Sequence, residues 1–200
     1  HGNEAVKEIV IDNGITRIGD YAFDYCTEVE SITIPDSVTS IGTFAFNNCS
    51  KLESITIPDS VISIDSMAFA LCSGLKTITI PDSVTSLGEN AFFYCTNLTS
   101  VKLSNNLECI EDATFFFCES LEFVEIGNNV KSIGDSAFSC CFKLKDVTLP
   151  ESVNYIGDGA FFRCQSLDTI TIENPDCEFF NTLSIICNEY NSSTDAIIAD

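Results

Sequence analysis

The stretch IPDSVTSIG, residues 34–42, decides the fold because the chain repeats it at a constant interval. It returns as IPDSVISID at residues 57–65 and as IPDSVTSLG at residues 80–88, so that the three copies share one 23-residue period. A fixed period of this length is typical of repeat architectures, in which each repeat forms one structural unit and neighbouring units stack. The sequence therefore predicts a coil that makes one turn for each repeat.

The period extends over most of the chain. Seven units follow one another without an insertion, and they begin at Ile18, Ile41, Ile64, Leu87, Ile110, Ile133 and Ile156. The segment VKEIVIDNGITR, residues 6–17, matches the second half of a unit. We assign residues 1–17 to an N-terminal half repeat, residues 18–174 to seven 23-residue repeats and residues 175–200, where the period is lost, to a C-terminal cap.

Each unit contains a segment in which apolar and polar side chains alternate, and LESITIP at residues 52–58 is an example. This alternation is typical of a strand with one buried face. It predicts that Leu52, Ile55 and Ile57 point inward. Ser54 and Thr56 then point outward.

The rest of the unit predicts a second extended piece and a compact turn. A proline ends the strand in four units, at Pro35, Pro58, Pro81 and Pro150. The following SVTSIG segment predicts a short second extended piece, and the motif xAFxxC, whose apolar residues are three apart, predicts one or two helical turns. No unit can bury its apolar side alone, so the neighbouring units must share one long core.

One phenylalanine recurs at the same position of every unit. Its copies are Phe23, Phe46, Phe69, Phe92, Phe115, Phe138 and Phe161. Adjacent parallel turns lie about 4.8 Å apart, so that like side chains stack on like along the coil. We expect these rings to form a buried ladder.

The unit IGxxAFxxCxxLxxITIPxSVTS resembles the BspA-like class of leucine-rich repeat, and the resemblance extends from Val6 to about Asp200. The NPDCE segment and the NSSTDA segment after it resemble the terminal part of bacterial members. The resemblance implies an α/β fold: a right-handed leucine-rich-repeat solenoid, or horseshoe, that is dominated by strands and has short helical turns. It also implies a secreted or surface-attached protein, for some members with a role in adhesion, and it supplies no catalytic motif.

The composition limits the classes of partner. The chain has 30 acidic and 9 basic residues and a formal charge of -21, so that its surface repels nucleic acids and anionic lipid headgroups. No apolar run approaches the roughly 20 residues of a spanning helix, and the first residues lack the basic and apolar regions of a signal peptide. We expect no nucleic-acid partner, no membrane insertion and a monomer, because the charge discourages self-association.

Cysteine is abundant, with 11 copies, and seven of them recur once per unit. These seven are Cys26, Cys49, Cys72, Cys95, Cys118, Cys141 and Cys164. They could form a ladder of disulfides or metal ligands, but an odd column cannot pair completely, and zinc sites need local clusters. We therefore favour a column of buried thiols behind the phenylalanine ladder.

Four cysteines lie outside that column, at Cys109, Cys140, Cys177 and Cys187. A bridge between Cys177 and Cys187 in the predicted cap stays open as an alternative. A cysteine nucleophile needs a basic partner, and His1 is the only histidine of the chain. The sequence therefore does not favour cysteine hydrolase chemistry.

Acidic residues follow the proline in several units, at Asp36, Asp59 and Asp82. A column of carboxylates could hold calcium, which takes six to eight oxygen ligands, but Asp after proline is also typical of turns. Asn105 and Asn128 replace the acid in two units, as a turn tolerates and a charge-dependent site does not. We favour the turn, and we expect no metal and no cofactor.

The candidate binding residues are those that depart from the repeat on its outer surface. The outward strand positions are Thr33, Thr56, Thr79, Lys102, Glu125, Thr148 and Thr171. The departures cluster in the fourth and fifth units, at Phe123, Lys102, Glu125, Phe93, Tyr94, Phe116 and Phe117. Exposed aromatic side chains often mark a contact surface. The alternative for Phe93 and Phe116 is that they stack on one another and only extend the core.

These observations predict a protein that is not an enzyme. We expect a non-catalytic recognition or adhesion scaffold, at the cell surface or secreted, that binds a protein or a glycan through its sheet face. The alternative is a structural spacer module in a larger exported multidomain protein. An enzyme that uses paired acidic side chains is the least favoured reading, because no pair of carboxylates differs from its repeats.

Overall fold

A computed structural model describes residues 6–179 and the strand Ile198–Ala199, and the structural statements below refer to those residues. The chain winds into a solenoid of short parallel strands, with one turn for each sequence unit. The strands form two separate columns, and every full turn except the second contributes to both. The first column contains the predicted ITI strands, and the second contains the short extended pieces before the glycine.

The strands are two to four residues long. In chain order they are β1 (Glu8–Val10), β2 (Arg17–Ile18), β3 (Ser31–Thr33), β4 (Ser40–Ile41), β5 (Ser63–Ile64), β6 (Thr77–Thr79), β7 (Ser86–Leu87), β8 (Ser100–Lys102), β9 (Cys109–Ile110), β10 (Phe123–Glu125), β11 (Ser132–Ile133), β12 (Asp146–Leu149), β13 (Tyr155–Ile156), β14 (Thr169–Ile172), β15 (Glu178–Phe179) and β16 (Ile198–Ala199).

All strand pairs are parallel, and equivalent residues of neighbouring units lie opposite one another. Ile41 pairs with Ile64 on β4 and β5, and Val101 pairs with Val124 on β8 and β10. The first column consists of the sheets β1-β3, β6-β8-β10 and β12-β14-β16, and the second of β2-β4-β5-β7 and β9-β11-β13-β15. The structure thus confirms that segments one sequence unit apart are neighbours along the coil.

The phenylalanine ladder forms the centre of the core. Its neighbouring rings are stacked at centroid distances of 5.2 to 5.5 Å from Phe23 to Phe161. Six of the rings, from Phe46 onward, are completely buried, and Phe23 at the N-terminal end is partly exposed. The predicted buried ladder is therefore confirmed.

The predicted helical turns are wrong, because the xAFxxC segments form successive tight turns and no helix occurs in the described part of the chain. A helix needs negative φ angles and N–H groups bonded four residues back. Here Tyr21 and Tyr25 have φ angles of 56° and 58°. The Phe23 N–H donates instead to the Ala45 carbonyl of the next turn, at 2.8 Å. The fold is accordingly a parallel β-solenoid, and the α/β assignment is corrected.

The first strand column is interrupted twice. Residues 52–57 form no strand, although Leu52 and Ile57 are buried and Thr56 is exposed as predicted. Glu53 lies in this segment, and Glu30 occupies the equivalent position of the preceding unit. Like charges directly opposite one another weaken strand pairing. The second interruption separates β10 from β12, which are not hydrogen-bonded to each other.

Two predictions fall largely on residues that are not described. Most of the predicted C-terminal cap, residues 175–200, lies outside the described residues, and so does Cys187, the possible partner of Cys177.

In the described part of the chain, no helix is long and apolar enough to cross a membrane.

Candidate functional site

Phe123 is the most exposed aromatic residue of the first strand column. It lies on β10 opposite Ser100 on β8, and 60% of its surface is exposed. Alternation along the strand turns Val124 toward the core and leaves Phe123 and Glu125 on the outer face. Phe123 has no ring contact in the described part of the chain. No other aromatic ring among the described residues therefore covers it.

Lys102 and Glu125 form an ion pair beside Phe123. They lie opposite one another on β8 and β10, and Lys102 Nζ is 2.8 Å from Glu125 Oε1. The hydrogen bond that Lys102 Nζ donates to Glu125 raises the pKa of Lys102 above its usual value. Both side chains are at least half exposed, so that water and salt screen the pair and it adds little to stability. The two charges remain available to a partner.

An open groove of about 300 Å³ lies at the interruption between β10 and β12. We call it the β10–β12 groove. It is lined by Val124, Glu125, Ile126, Asn128, Asp146, Thr148, Pro150 and Glu173. It thus combines apolar side chains with three carboxylates, and its lining begins directly after Phe123 in the sequence.

A second open groove, of about 600 Å³, lies at the other interruption of the same column. Its lining residues are Glu30, Ser50, Lys51, Glu53, Ser54 and Gly74. Both of its carboxylates form ion pairs, Glu30 with Lys7 at 3.2 Å and Glu53 with Lys76 at 2.6 Å. This groove has no large apolar side chain in its lining and little unpaired charge.

The other four candidates form an aromatic cluster in the turn segments. Phe93 stacks on Phe116 at 5.5 Å, and Tyr94 stacks on Phe117 at 4.6 Å. Phe142 joins the cluster through an edge contact with Phe117 at 5.9 Å. All five side chains are half-buried. Each stack covers one face of each of its two rings.

Sequence reasoning missed Phe142. The signal was available, because the equivalent positions of the five earlier units hold the polar residues Thr27, Ser50, Ser73, Thr96 and Glu119. The structure brings Phe93, Tyr94, Phe116 and Phe117 together, as it does Lys102 and Glu125 beside Phe123, but it shows no ring contact between the cluster and Phe123. The candidates thus belong to two separate groups, one on turns and one on strands.

The cysteine column is a set of buried hydrogen-bond donors. Each thiol from Cys49 onward donates to the carbonyl of a phenylalanine in the preceding unit, as Cys72 does to Phe46 at 3.1 Å and Cys164 to Phe138 at 3.1 Å. Burial raises the pKa of Cys164 to about 12. The predicted column of buried thiols is confirmed.

Cys109 lies outside the column and is only partly buried. Desolvation raises the pKa of its thiol to about 12, and a hydrogen bond to Glu111 Oε1 at 2.7 Å adds to the effect. Because the thiolate is the reactive form of cysteine, this site does not supply a nucleophile at neutral pH.

The acidic residues after the proline act in turns. Asp82 Oδ1 accepts the Asn105 N–H at 2.8 Å, and Asn105 Oδ1 accepts the Asn128 N–H at 3.3 Å. The bond from the Asn105 backbone lowers the pKa of Asp82. Carboxylate and amide thus serve the same purpose, which supports the turn interpretation. Among the described residues, no group of three or more His, Cys, Asp or Glu side chains is arranged to hold a metal ion.

Comparison with known proteins identifies the family. The model of the BspA type leucine rich repeat region matches residues 1–99 and 85–188, with six copies. The chain therefore belongs to the BspA-type leucine-rich repeat family, as the sequence resemblance predicts. No curated protein matches the chain.

Several solved structures are similar to the chain. A leucine-rich repeat protein from Bacteroides ovatus is 34% identical, with a TM-score of 0.65 over 88% of this chain and 51% of that one. A leucine rich cell surface protein from Faecalibacterium prausnitzii is 27% identical, with a TM-score of 0.60 over 86% of this chain and 61% of that one. A T. pallidum leucine-rich repeat protein is 26% identical, with a TM-score of 0.54 over 69% and 78% of the two chains.

The chain thus spans only 51% and 61% of the length of the first two of these proteins. Leucine-rich repeat proteins of this kind are non-enzymatic, and they generally serve as protein-interaction or surface scaffolds.

Proposed function

We propose that this chain is a non-catalytic recognition module that binds a protein or glycan partner through the outer face of its first strand column. The observation that carries the proposal is Phe123, a ring exposed to 60% at a position that holds Ser or Thr in most other units. Burial of an exposed aromatic ring at the centre of an interface often dominates binding. Lys102 and Glu125 would supply the polar contacts beside it.

The cell surface is the proposed location. One similar protein is described as a leucine rich cell surface protein, and the family generally provides interaction or surface scaffolds. The thiols support a non-catalytic role, because desolvation raises the pKa of Cys95 and Cys164 in the column and of Cys109 outside it. The large negative charge of -21 supports a partner that is not a nucleic acid.

The aromatic cluster is included in the proposal as a second, weaker contact surface. Its rings are half-buried and already contact each other, so a partner gains less apolar burial there than at Phe123. Tyr94 is the best member of the cluster to test by mutation, because its hydroxyl can also form a hydrogen bond with a partner. Replacement of Tyr94 by Ser should weaken binding less than replacement of Phe123.

A binding screen tests the proposal. The chain is presented to extracellular matrix proteins and to a glycan array, and each hit is measured again with Phe123→Ser. We expect the affinity to fall at least about tenfold, which corresponds to the loss of about 1.4 kcal/mol. Ile62→Ser is the matched control, because Ile62 is exposed to a similar extent, 53%, outside the first strand column.

Two outcomes contradict the proposal. One is a screen without any partner, which would favour the spacer module. The other is a partner that binds Phe123→Ser as tightly as the original chain, which would show that the contact lies outside the sheet face.

A further inference from the structure

The β10–β12 groove exists because strand pairing stops between two neighbouring turns. β10 pairs with β8 and β12 pairs with β14, but β10 and β12 do not pair with each other. The gap leaves an open volume of about 300 Å³ on the outer face of the column. This is the lower end of the range for ligand pockets, and it suits one long side chain better than a large small-molecule ligand.

The apolar part of the groove is formed by Val124, Ile126 and Pro150. Val124 is only half-buried, whereas Val101 and Val147, its equivalents in the neighbouring turns, are fully buried. The interruption therefore exposes apolar surface that the rest of the column covers. A side chain with an aliphatic stem can cover this surface again.

The charged part of the groove is formed by Glu125, Asp146 and Glu173. Glu125 is paired with Lys102, but Asp146 and Glu173 have no ion pair in the described part of the chain. The nearest basic residue in the sequence, Lys145, forms no ion pair with them either. Two carboxylates thus remain available to a positively charged group, in a chain whose net charge is -21.

Phe123 adds a third feature. It occupies the same position in its unit as Asp146 does in the next unit. Its exposed ring has no ring neighbour among the described residues. Aromatic faces attract ammonium and guanidinium groups, so that Phe123 favours the same kind of ligand as the carboxylates.

From these features we propose that the β10–β12 groove binds a basic segment of a partner protein, with one lysine or arginine side chain of that segment inserted between the two strands. The inference rests on the proposed recognition role of this face, and it names the chemistry of the partner. The aliphatic stem of the side chain lies over Val124, and its charged end contacts Asp146 or Glu173, which the strand register places at opposite ends of the groove. A second basic residue of the segment can then reach the other carboxylate. Lysine and arginine are the residues that combine an apolar stem with a charged end.

The other groove of the column serves as an internal comparison. It is larger, but its carboxylates Glu30 and Glu53 are paired with lysines of this chain. Its lining also contains no large apolar side chain. It therefore offers neither the surface for an aliphatic stem nor the unpaired charge for its end.

The test uses a nine-residue fluorescent peptide in which lysine alternates with serine, and a second peptide with glutamine in place of lysine. Binding to the full chain is measured by fluorescence anisotropy at low and at physiological ionic strength. We expect the lysine peptide to bind and the glutamine peptide to show no binding. Methyl NMR signals of Val124 and Ile126 should shift on addition of the lysine peptide.

A double variant separates the groove from general attraction by a negative chain. The double variant Asp146→Asn, Glu173→Gln should lower the affinity for the lysine peptide at least tenfold. The matched control, Asp36→Asn with Asp59→Asn, also removes two exposed charges but lies outside the groove, and it should weaken binding less than twofold. Equal losses in the two variants, or no binding of the lysine peptide, overturn the inference.

The same variants distinguish this inference from the proposed function. A partner from the binding screen that is lost with Phe123→Ser, but retained with the double groove variant, supports the sheet face and overturns the basic ligand. A partner that is lost with the double variant and retained with Phe123→Ser supports the basic ligand and contradicts the role of Phe123.

Discussion

The phenylalanine ladder and the outer face of the first strand column are built from the same seven turns, but the residue type varies from turn to turn much less in the ladder than on the outer face. The ladder has one residue type throughout, and its rings stack at nearly constant distances. The outer face varies from Thr79 to Lys102 to Glu125 within three units. A core position is packed against the same neighbours in each turn, whereas an outer position is exposed to solvent and can contact a partner. Differences on the outer face therefore carry information about binding that the ladder cannot carry.

The largest effect is expected inside the ladder. Phe92→Ala should lower the free energy of unfolding by about 3 to 5 kcal/mol, because the ring is fully buried between Phe69 and Phe115. Urea denaturation followed by circular dichroism measures the change. The adjacent half-buried ring gives the control, and Phe93→Ala should cost roughly half as much. Equal losses at the two positions would contradict the distinction between ladder and surface.

A smaller effect is expected where two turns approach closely. A Cβ atom on Gly134 would lie 2.6 Å from the backbone nitrogen of Asp112 in the preceding turn, so that Gly134→Ala should cost about 1 to 3 kcal/mol. Gly19 occupies the same position in the first unit and has no atom within 4 Å of such a Cβ. Gly19→Ala should leave the melting temperature almost unchanged. A similar loss at both glycines would mean that backbone flexibility, and not close approach, sets the cost.

The smallest effect is expected on the outer surface. Lys76 Nζ lies 2.6 Å from Glu53, but both side chains are more than half exposed. Lys76→Met should change the free energy of unfolding by less than about 1 kcal/mol, and added salt should reduce the difference further. The measurement is urea denaturation at low and high ionic strength. A loss as large as that of Phe93→Ala would show that surface pairs contribute as buried rings do.

The columns of the core could be predicted from the sequence because they depend only on the period. Once equivalent residues of successive units are neighbours, Phe46 must lie on Phe69 and Cys49 must lie near Cys72. The alternation of Leu52 and Thr56 likewise gives their burial correctly, even where no strand forms. Burial in a repeat structure is a property of the position, and the sequence shows each position seven times.

The turns could not be predicted in the same way. The spacing of apolar residues in xAFxxC fits a helix as well as it fits the observed turns. The difference lies in bonds to another unit, such as the one from Phe46 N–H to the Ala68 carbonyl, and in positive φ angles at ordinary residues such as Tyr21 and Met67. Local periodicity contains no information about either.

The candidate site was predicted only in part. Departures from the repeat identify Phe123, Lys102 and Glu125, and the structure places the last two in one ion pair. The β10–β12 groove was missed, because Val124 and Ile126 follow the apolar pattern of every other strand. A lost strand pair changes the surface without changing the pattern of residue types.

Bonds between successive turns also determine how the molecule responds to tension. The strands run across the long axis, and backbone hydrogen bonds join each turn to its neighbours. The Gly42 N–H donates to the Ile18 carbonyl, for example, and the Asp65 N–H donates to the Ile41 carbonyl. We therefore expect a force that pulls the two ends apart to separate the terminal turn from its neighbour first, and then the remaining turns one after another. Each turn that detaches releases one 23-residue unit, or about 80 Å of extended chain.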